Sequence, residues 1–207
     1  MQRERPDIEV RAIGVEDARA LHRLDYSFET DRIYTLKVED RLIHPSREAI
    51  EDAPAGRPVL TFALHETPVD PPFYKNFNED AHTLREAETR LRQGDGGYLA
   101  LADDEVAGGV LLSVEQWREV ARIEDLIVGR QFRRYGIGSL LLNCAADWAR
   151  KQGCWALLLE TQTTNYPAIQ FYLRNGLEVW GIHQHFYPPG PVEHEVAIIM
   201  GKRLTIA

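Results

Sequence analysis

The strongest pattern in this 207-residue sequence is an amphipathic segment over residues 136–152. Its apolar side chains recur every three or four positions, as one face of a helix requires. Two cations fall in its last turn, where the helix dipole favours them, and Gly153 follows as a C-terminal cap. A strand over 120–128 precedes the segment, and a continuous apolar strand over 156–160 follows it. These residues therefore predict a helix flanked by strands.

The other elements are predicted from alternation of apolar and polar residues and from helical spacing. Six prolines between positions 45 and 72 break residues 30–78 into short pieces, for which we expect a hairpin and surface loops. The further predicted strands are 8–13, 33–38, 59–64, 98–102, 106–114, 177–186 and 193–202, and the further predicted helices are 15–28, 79–92 and 167–175.

This order of elements predicts an α/β or α+β fold, a three-layer sandwich in which helices flank one mixed sheet. With 44% apolar and 27% charged residues, the chain can bury a sizeable core, and we expect a single domain over residues 1–207. A formal charge of −8 argues against nucleic acid and anionic lipid as partners. No apolar run approaches the roughly 18 residues of a membrane span, and the two cysteines form no disulfide framework, so we expect a cytoplasmic protein.

The segment from Arg133 to Ser139 lies between the strand that ends near residue 128 and the long helix. The first N–H groups of a helix lack internal partners and favour an anion. Two glycines, Gly136 and Gly138, allow a phosphate to approach the backbone, and two arginines add charge-assisted donors. Glycines at this spacing also serve ordinary turns, but with these neighbours the segment predicts a site for a diphosphate. Neither the dinucleotide fingerprint nor the nucleoside-triphosphate loop is present.

The same segment resembles the Q/R-x-x-G-x-G/A signature of the GNAT superfamily of acetyltransferases. It follows a strand like the central strand of that family, and the similarity covers about residues 98–203. A second motif resembles the family's second cofactor-contacting helix and consists of Asn165, Ala168, Phe171, Tyr172, Asn175, Gly176 and Leu177. Leu177 departs from the aromatic residue that more often follows the glycine of this motif, but either side chain can fill a core.

The resemblance implies acetyl-CoA as co-substrate, with no metal. The residues implied to bind it are Leu126, Ile127, Val128, Arg133, Arg134, Gly136, Ile137, Gly138, Ser139, Asn165, Ala168 and Phe171.

Two side chains are implied to act in catalysis. Glu124 is the expected base for the amine, although a strand residue that only faces solvent would show the same pattern. Tyr172 is the expected acid for the leaving thiolate, although it could serve packing alone. Asn165 could likewise cap its helix rather than contact the cofactor. In a regular strand Asp125 would point away from the face that carries Glu124.

A closer resemblance is to the streptothricin acetyltransferases, which acetylate a β-lysyl amine of that antibiotic. It rests on Ile123-Glu124-Asp125, on Leu159-Glu160-Thr161-Gln162 and on residues 195–198. It implies N-acetylation of a primary amine on a small cationic molecule, with Glu160 as a substrate-binding residue. Two alternatives stay open, namely a protein or peptide acetyltransferase and a non-catalytic acyl-CoA sensor.

Three histidines and the last two strands raise two minor questions. His183 and His185 would share one face of a strand, with His194 across the turn, a spacing that a metal could use. No further ligand completes a set, so no metal site is expected. Two chains could pair through the final strands as a homodimer, but no feature of the sequence requires it.

Overall fold

A computed structural model of the chain describes residues 5–40, 60–77, 84–190 and 192–205. The strands are β1 (Ile8–Ala12), β2 (Phe28–Asp40), β3 (Leu60–Lys75), β4 (Gly96–Ala102), β5 (Glu105–Glu115), β6 (Val120–Val128), β7 (Ala156–Gln162), β8 (Glu178–His183) and β9 (Ala197–Arg203). The helices are α1 (Ala18–His22), α2 (Leu84–Gln93), α3 (Ile137–Lys151) and α4 (Tyr166–Arg174), with short 3₁₀ turns at Val15–Asp17, Gln116–Arg118 and Arg130–Phe132.

Seven of these strands form one sheet in the order β1-β4-β5-β6-β7-β9-β8, and β2 pairs with β3 in a separate two-stranded sheet. All neighbours in the large sheet are antiparallel except β6 and β7, which run parallel because α3 connects them. The predicted mixed sheet is therefore confirmed. None of the described helices is long and apolar enough to cross a membrane.

Helices cover both faces of the large sheet. Gly96 lies under α3, since a Cβ there would be 2.6 Å from Nε1 of Trp148. Gly109 lies under α1, since a Cβ there would be 3.1 Å from Cδ2 of Leu21. Gly96 pairs with Leu112, three residues along β5 from Gly109, so the two glycines face opposite sides of the sheet. This arrangement gives the predicted three layers.

The main core lies between the sheet and α3. Each fully buried leucine or isoleucine there contributes about 1.5–3 kcal/mol relative to an exposed one. Its fully buried members include Ile137 and Leu141 of α3, Leu157 of β7, and Ile198 and Met200 of β9.

The predicted helix 15–28 is too long, because the chain leaves the helix after α1. Oδ1 of Asp25 accepts the N–H of Ser27 at 2.9 Å, a local turn that competes with helix. Phe28 then begins β2 and packs against the ring of Phe73, with centroids 6.1 Å apart. Phe28, the last apolar residue of the predicted helix, therefore belongs to a strand.

The two short strands predicted in the proline-rich region are parts of one longer hairpin, β2 and β3, which we call the strap. Three prolines, Pro68, Pro71 and Pro72, lie within β3. A two-stranded sheet accommodates them because each strand keeps one unpaired edge. The pairing also shifts register between Thr30 and Arg32, opposite this proline segment.

Other predicted boundaries change less. Helix α2 begins at Leu84, and the start of the predicted helix falls on residues 78–83, outside the described ranges, as do the loops predicted over 41–59. The last two strands are shorter than predicted, so Glu195 belongs to the connection between β8 and β9, as Tyr187 also does.

The strap is fastened to the body of the protein at both strands. In β2 the N–H of Tyr34 donates to the carbonyl of Thr163 at 2.9 Å. In β3 the Nζ of Lys75 lies 2.7 Å from both carboxylate oxygens of Glu195, which also accepts the hydroxyl of Thr164 at 2.7 Å. Glu195 is 2% exposed, so its charge is balanced inside the protein.

Replacing Lys75 should therefore cost much more stability than replacing an exposed cation. We expect Lys75→Met to lower the free energy of unfolding by about 3–5 kcal/mol, because Glu195 would remain buried without its partner. Arg92→Met, which removes an exposed helical pair with Glu88, should cost about 0–1 kcal/mol. Urea unfolding of both variants measures the difference. Equal costs would contradict a buried pair, whereas partial recovery in the double variant Lys75→Met, Glu195→Leu would support it.

Candidate active site

A cleft opens where β6 and β7 part. The parallel ladder between them runs only from Val120 and Ala156 to Ile123 and Leu159. Beyond that point β6 continues along β5, and β7 continues along β9. The cleft that begins at this gap has a volume of about 1610 Å³. It is bounded by both strand ends, the start of α3, α4 and the strap.

A β-bulge at Glu124 shapes one wall of this cleft. Leu111 of β5 pairs with Asp125 and Leu112 pairs with Ile123, so Glu124 is an extra residue in β6. Glu124 and Asp125 both line the cleft. The prediction that Asp125 faces away assumed a regular strand, and the bulge removes that condition. Asp125 also forms a 2.6 Å ion pair with Arg90 of α2.

The first turn of α3 is open toward the cleft. Gly136 precedes the helix with φ of +87°, a conformation that disfavours side chains, and within the described chain no side chain caps the helix there. Gly138 packs closely against α4, because a Cβ there would lie 3.1 Å from Cζ of Phe171 and the ring would have to shift slightly. Ile137 is 1% exposed, so it contributes its backbone to the cleft while its side chain belongs to the core.

The two arginines of the signature behave differently. Arg133 donates from Nε to the carbonyl of Val128 at 3.2 Å and from Nη1 to the carbonyl of Ser27 at 2.8 Å, and burial lowers the pKa of its guanidinium. Arg134 is exposed with φ of +71°. Both line the cleft, but only Arg134 has a guanidinium without a hydrogen bond or ion pair to the described residues.

Helix α4 supplies the opposite wall. Oδ1 of Asn165 accepts the N–H of Ala168 at 3.3 Å, so this asparagine caps the helix, one of its two predicted roles. Tyr172 is 8% exposed, and its ring packs edge-on against Phe171 with centroids 5.3 Å apart. Burial raises the pKa of Tyr172, and the nearby carboxylates of Glu160 and Asp125 raise it further.

Two more carboxylates meet the cleft near the strand ends. Glu160, in the last part of β7, accepts a hydrogen bond from the hydroxyl of Tyr187, and burial raises the pKa of this glutamate. Glu124 accepts the hydroxyl of Ser113 at 2.5 Å, and its Oε1 lies 3.6 Å from Nε of Arg122. Glu124 is the more exposed of the two, and Glu160 is the more enclosed.

Every residue that the sequence assigned to the site lines this one cleft. They are Glu124, Leu126, Ile127, Val128, Arg133, Arg134, Gly136, Ile137, Gly138, Ser139, Glu160, Asn165, Ala168, Phe171 and Tyr172. Sequence reasoning missed the lining residues Glu29, Asp31, Arg130 and Arg174, and also Tyr187, which bonds Glu160. Arg130 adjoins the signature and Arg174 lies within the second motif, so both could have been found from the sequence, whereas Glu29, Asp31 and Tyr187 reach the site only through long-range folding.

The histidines do not assemble a metal site. Strand β8 ends at His183, so His185 does not share its strand face, and His183 instead packs against the ring of Phe186 with centroids 5.5 Å apart. Among the described residues, no group of three or more histidines, cysteines or carboxylates is placed to hold a metal ion.

Comparison with known proteins identifies the family to which this cleft belongs. The family model described as the acetyltransferase (GNAT) family matches residues 62–177, more than half of the chain. The chain belongs to this family. A streptothricin acetyltransferase of Streptomyces lavendulae is 32% identical over 194 residues, 93% of each protein. The predicted family and the predicted enzyme class, an acetyltransferase, are thereby confirmed.

Solved structures of GNAT proteins share the fold. A nourseothricin acetyltransferase superposes with a TM-score of 0.75 at 27% identity, covering 96% of this chain and 99% of that one. A Bacillus anthracis protein assigned as a streptothricin acetyltransferase, in complex with acetyl coenzyme A, superposes with a TM-score of 0.70 at 21% identity, covering 96% and 99%.

The two glycines of the GNAT signature should respond differently to alanine. Gly136→Ala should lower the free energy of unfolding by about 1–2 kcal/mol, because the left-handed conformation is strained although the space is open. Gly153→Ala, with φ of +75° and equally open space at the other end of α3, should cost the same. Gly138→Ala should cost less, because helix propensity offsets the displacement of Phe171. Urea unfolding would contradict this if Gly138→Ala were the most destabilised of the three.

Proposed function

We propose that this chain transfers the acetyl group of acetyl-CoA to a primary amine of a small cationic molecule of the streptothricin kind. One observation carries the proposal. A single cleft joins an open helix N-terminus, which suits an anion, to a cluster of carboxylates, which suits an ammonium group. The relationship to streptothricin acetyltransferases indicates the kind of amine.

The cofactor end is the first turn of α3. Backbone N–H groups after Gly136, together with the exposed Arg134, would hold the diphosphate of CoA. Arg130 and Arg174 add positive charge along the same cleft. The Bacillus anthracis protein that shares this fold holds acetyl coenzyme A. When bound, acetyl-CoA supplies the acetyl group and a thiolate leaving group.

The arm of the cofactor would lie between β6 and α4. Backbone groups of residues 126–128 face a gap that β7 leaves unpaired, and they would hold the arm and polarise the thioester carbonyl. The remaining lining would come from Ser139, Asn165, Ala168 and Phe171. The amide nitrogen of Asn165 stays available for this contact while its oxygen caps α4.

The acceptor end is strongly acidic. Glu124 and Asp125 of β6 and Glu160 of β7 lie where the two strands part, and Glu29 and Asp31 of the strap line the same cleft. Such a cluster attracts a cationic amine and orients it toward the parting of the strands. Glu160 would hold an ammonium group of the acceptor, since it is more enclosed than Glu124.

Glu124 and Tyr172 carry the proposed proton transfers. Glu124 would take a proton from the attacking amine, directly or through water. As the amide bond forms and the C–S bond breaks, Tyr172 would donate a hydrogen bond to the departing thiolate, which takes up a proton and leaves as the free thiol of CoA. Because its pKa is raised, the phenol stays protonated throughout the neutral range, so stabilising the sulfur through a hydrogen bond is the larger part of its role.

The strap favours a small acceptor over a protein. Phe28, Glu29 and Pro72 of the strap line the cleft, and its strands are fastened to the α4 side of the protein. A polypeptide acceptor needs an open groove in which an extended chain can lie, whereas here a hairpin forms part of the wall.

The activity is tested by mixing the purified protein with acetyl-CoA and streptothricin, lysine, spermidine or a short peptide, and following thiol release. We expect streptothricin to be the best acceptor. Faster turnover of the peptide would favour a protein acetyltransferase. Tight CoA binding without turnover of any amine would favour a non-catalytic sensor.

Tyr172→Phe should lower kcat by about 10²-fold, the usual contribution of a positioned acid, while the Kd of CoA stays within about twofold. The control is Tyr74→Phe, which makes the same change on an exposed tyrosine of β3 outside the cleft. Steady-state kinetics and calorimetry measure the two quantities. An unchanged kcat would remove Tyr172 from the mechanism.

Glu160 should make acceptor binding sensitive to acid. Its pKa is raised above the ordinary 4.5, so the carboxylate is lost on acidification earlier than an exposed glutamate would be. The Kd of streptothricin for the CoA-loaded protein should therefore rise as the pH falls toward the pKa of Glu160, and Glu160→Gln should abolish this dependence. Glu178→Gln, on exposed β8, is the control. A variant that keeps the wild-type pH profile would exclude Glu160 as the anchor.

A further inference from the structure

The side chain of Arg133 is engaged with the protein backbone. Its guanidinium spans two backbone carbonyls, that of Val128 at the end of β6 and that of Ser27 just before β2. Ser27 is 1% exposed, so the second bond lies inside the protein. A planar fork of donors is well suited to bridge two fixed acceptors in this way.

The bond to Ser27 ties the loop that precedes α3 to residues 28–31 of the strap, which we call the acceptor wall. Phe28 follows Ser27 directly, and residues 28–31 all line the cleft, including the acidic Glu29 and Asp31. A second contact runs beside it, because the N–H of Arg130 donates to the carbonyl of Asp25 at 2.6 Å. The loop that precedes α3 and the first residues of the strap therefore form one connected unit.

We propose that Arg133 is a positioning residue. It couples CoA binding at the first turn of α3, which we call the cofactor cradle, to the placement of the acceptor wall. This rests on the proposed function, in which the cradle holds CoA and residues 28–31 face the amine. CoA bound at the first turn of α3 fixes the loop, and the guanidinium passes that restraint to Ser27 and the start of β2. By linkage, the ordered strap favours CoA to the same degree.

Arg134 is the matched control. It is the adjacent residue, it carries the same charge, and it lines the same cleft. Its side chain is exposed, and no described residue forms a hydrogen bond or ion pair with it. Replacement by lysine keeps the charge at either position, but a lysine at 133 presents one ammonium in place of a fork. Arg133→Lys therefore separates tethering from simple charge.

The first measurement needs no acceptor. Amide hydrogen exchange of residues 27–31 is followed by mass spectrometry with and without CoA, in wild type, Arg133→Lys and Arg134→Lys. In wild type and Arg134→Lys, CoA should slow this exchange by about tenfold, whereas in Arg133→Lys CoA should leave it nearly unchanged. A merely structural arginine would alter the basal exchange but not its response to CoA.

The second measurement uses streptothricin as acceptor. Arg133→Lys should raise the KM for streptothricin by about tenfold with a small change in the Kd of CoA. Arg134→Lys should instead raise the Kd of CoA by about tenfold with a small change in the KM for streptothricin. The coupling role is wrong if CoA slows the exchange of residues 27–31 in Arg133→Lys as much as in wild type. It is also wrong if Arg133→Lys weakens CoA binding without raising the KM for streptothricin. If wild type does not acetylate streptothricin, the proposed function fails, and the exchange measurement still decides the coupling.

Discussion

The parting of β6 from β7 is the constraint on which the rest of the site depends. Parallel neighbours in a sheet normally exchange hydrogen bonds along their whole length, yet here the ladder stops at Ile123 and Leu159. The bulge at Glu124 turns β6 away at that point, and the antiparallel pairing of β7 with β9 holds β7 in place. Because each strand keeps a partner on its outer side, the gap between them opens without unravelling the sheet.

This geometry also divides charge along the cleft. The start of α3 brings the positive end of a helix dipole and Arg134 to one end. The bulge and the end of β7 bring Glu124, Asp125 and Glu160 to the point where the strands part, and Glu29 and Asp31 of the strap line the same cleft. The overall net charge of −8 does not reveal this separation, which arises only when distant segments meet. Opposite ends of one cleft can thus attract a diphosphate and an amine.

The sequence predicts best what is local. Helix α3 with its glycines, the strand before it and the helix that begins at Asn165 each follow from spacing within a dozen residues, and these elements, together with β7, carry the predicted site residues into one cleft. The bulge was not predictable, because it depends on how β5 pairs with β6. The strap was predicted only as a broken hairpin, since its prolines obscure strands that are held by contacts such as Lys75 with Glu195.

Arg133 shows why a signature residue need not act through its most obvious chemistry. An arginine beside a phosphate site suggests a phosphate ligand, but a helix N-terminus already provides backbone donors and a favourable dipole. The guanidinium of Arg133 is half-buried, and two of its five N–H donors bond to backbone carbonyls at 2.8 and 3.2 Å. Withdrawing it would leave those carbonyls without their partner. The signature segment therefore forms a junction between the first turn of α3 and the strap, and in the proposed function the exposed Arg134 is the one of its two arginines that meets the ligand.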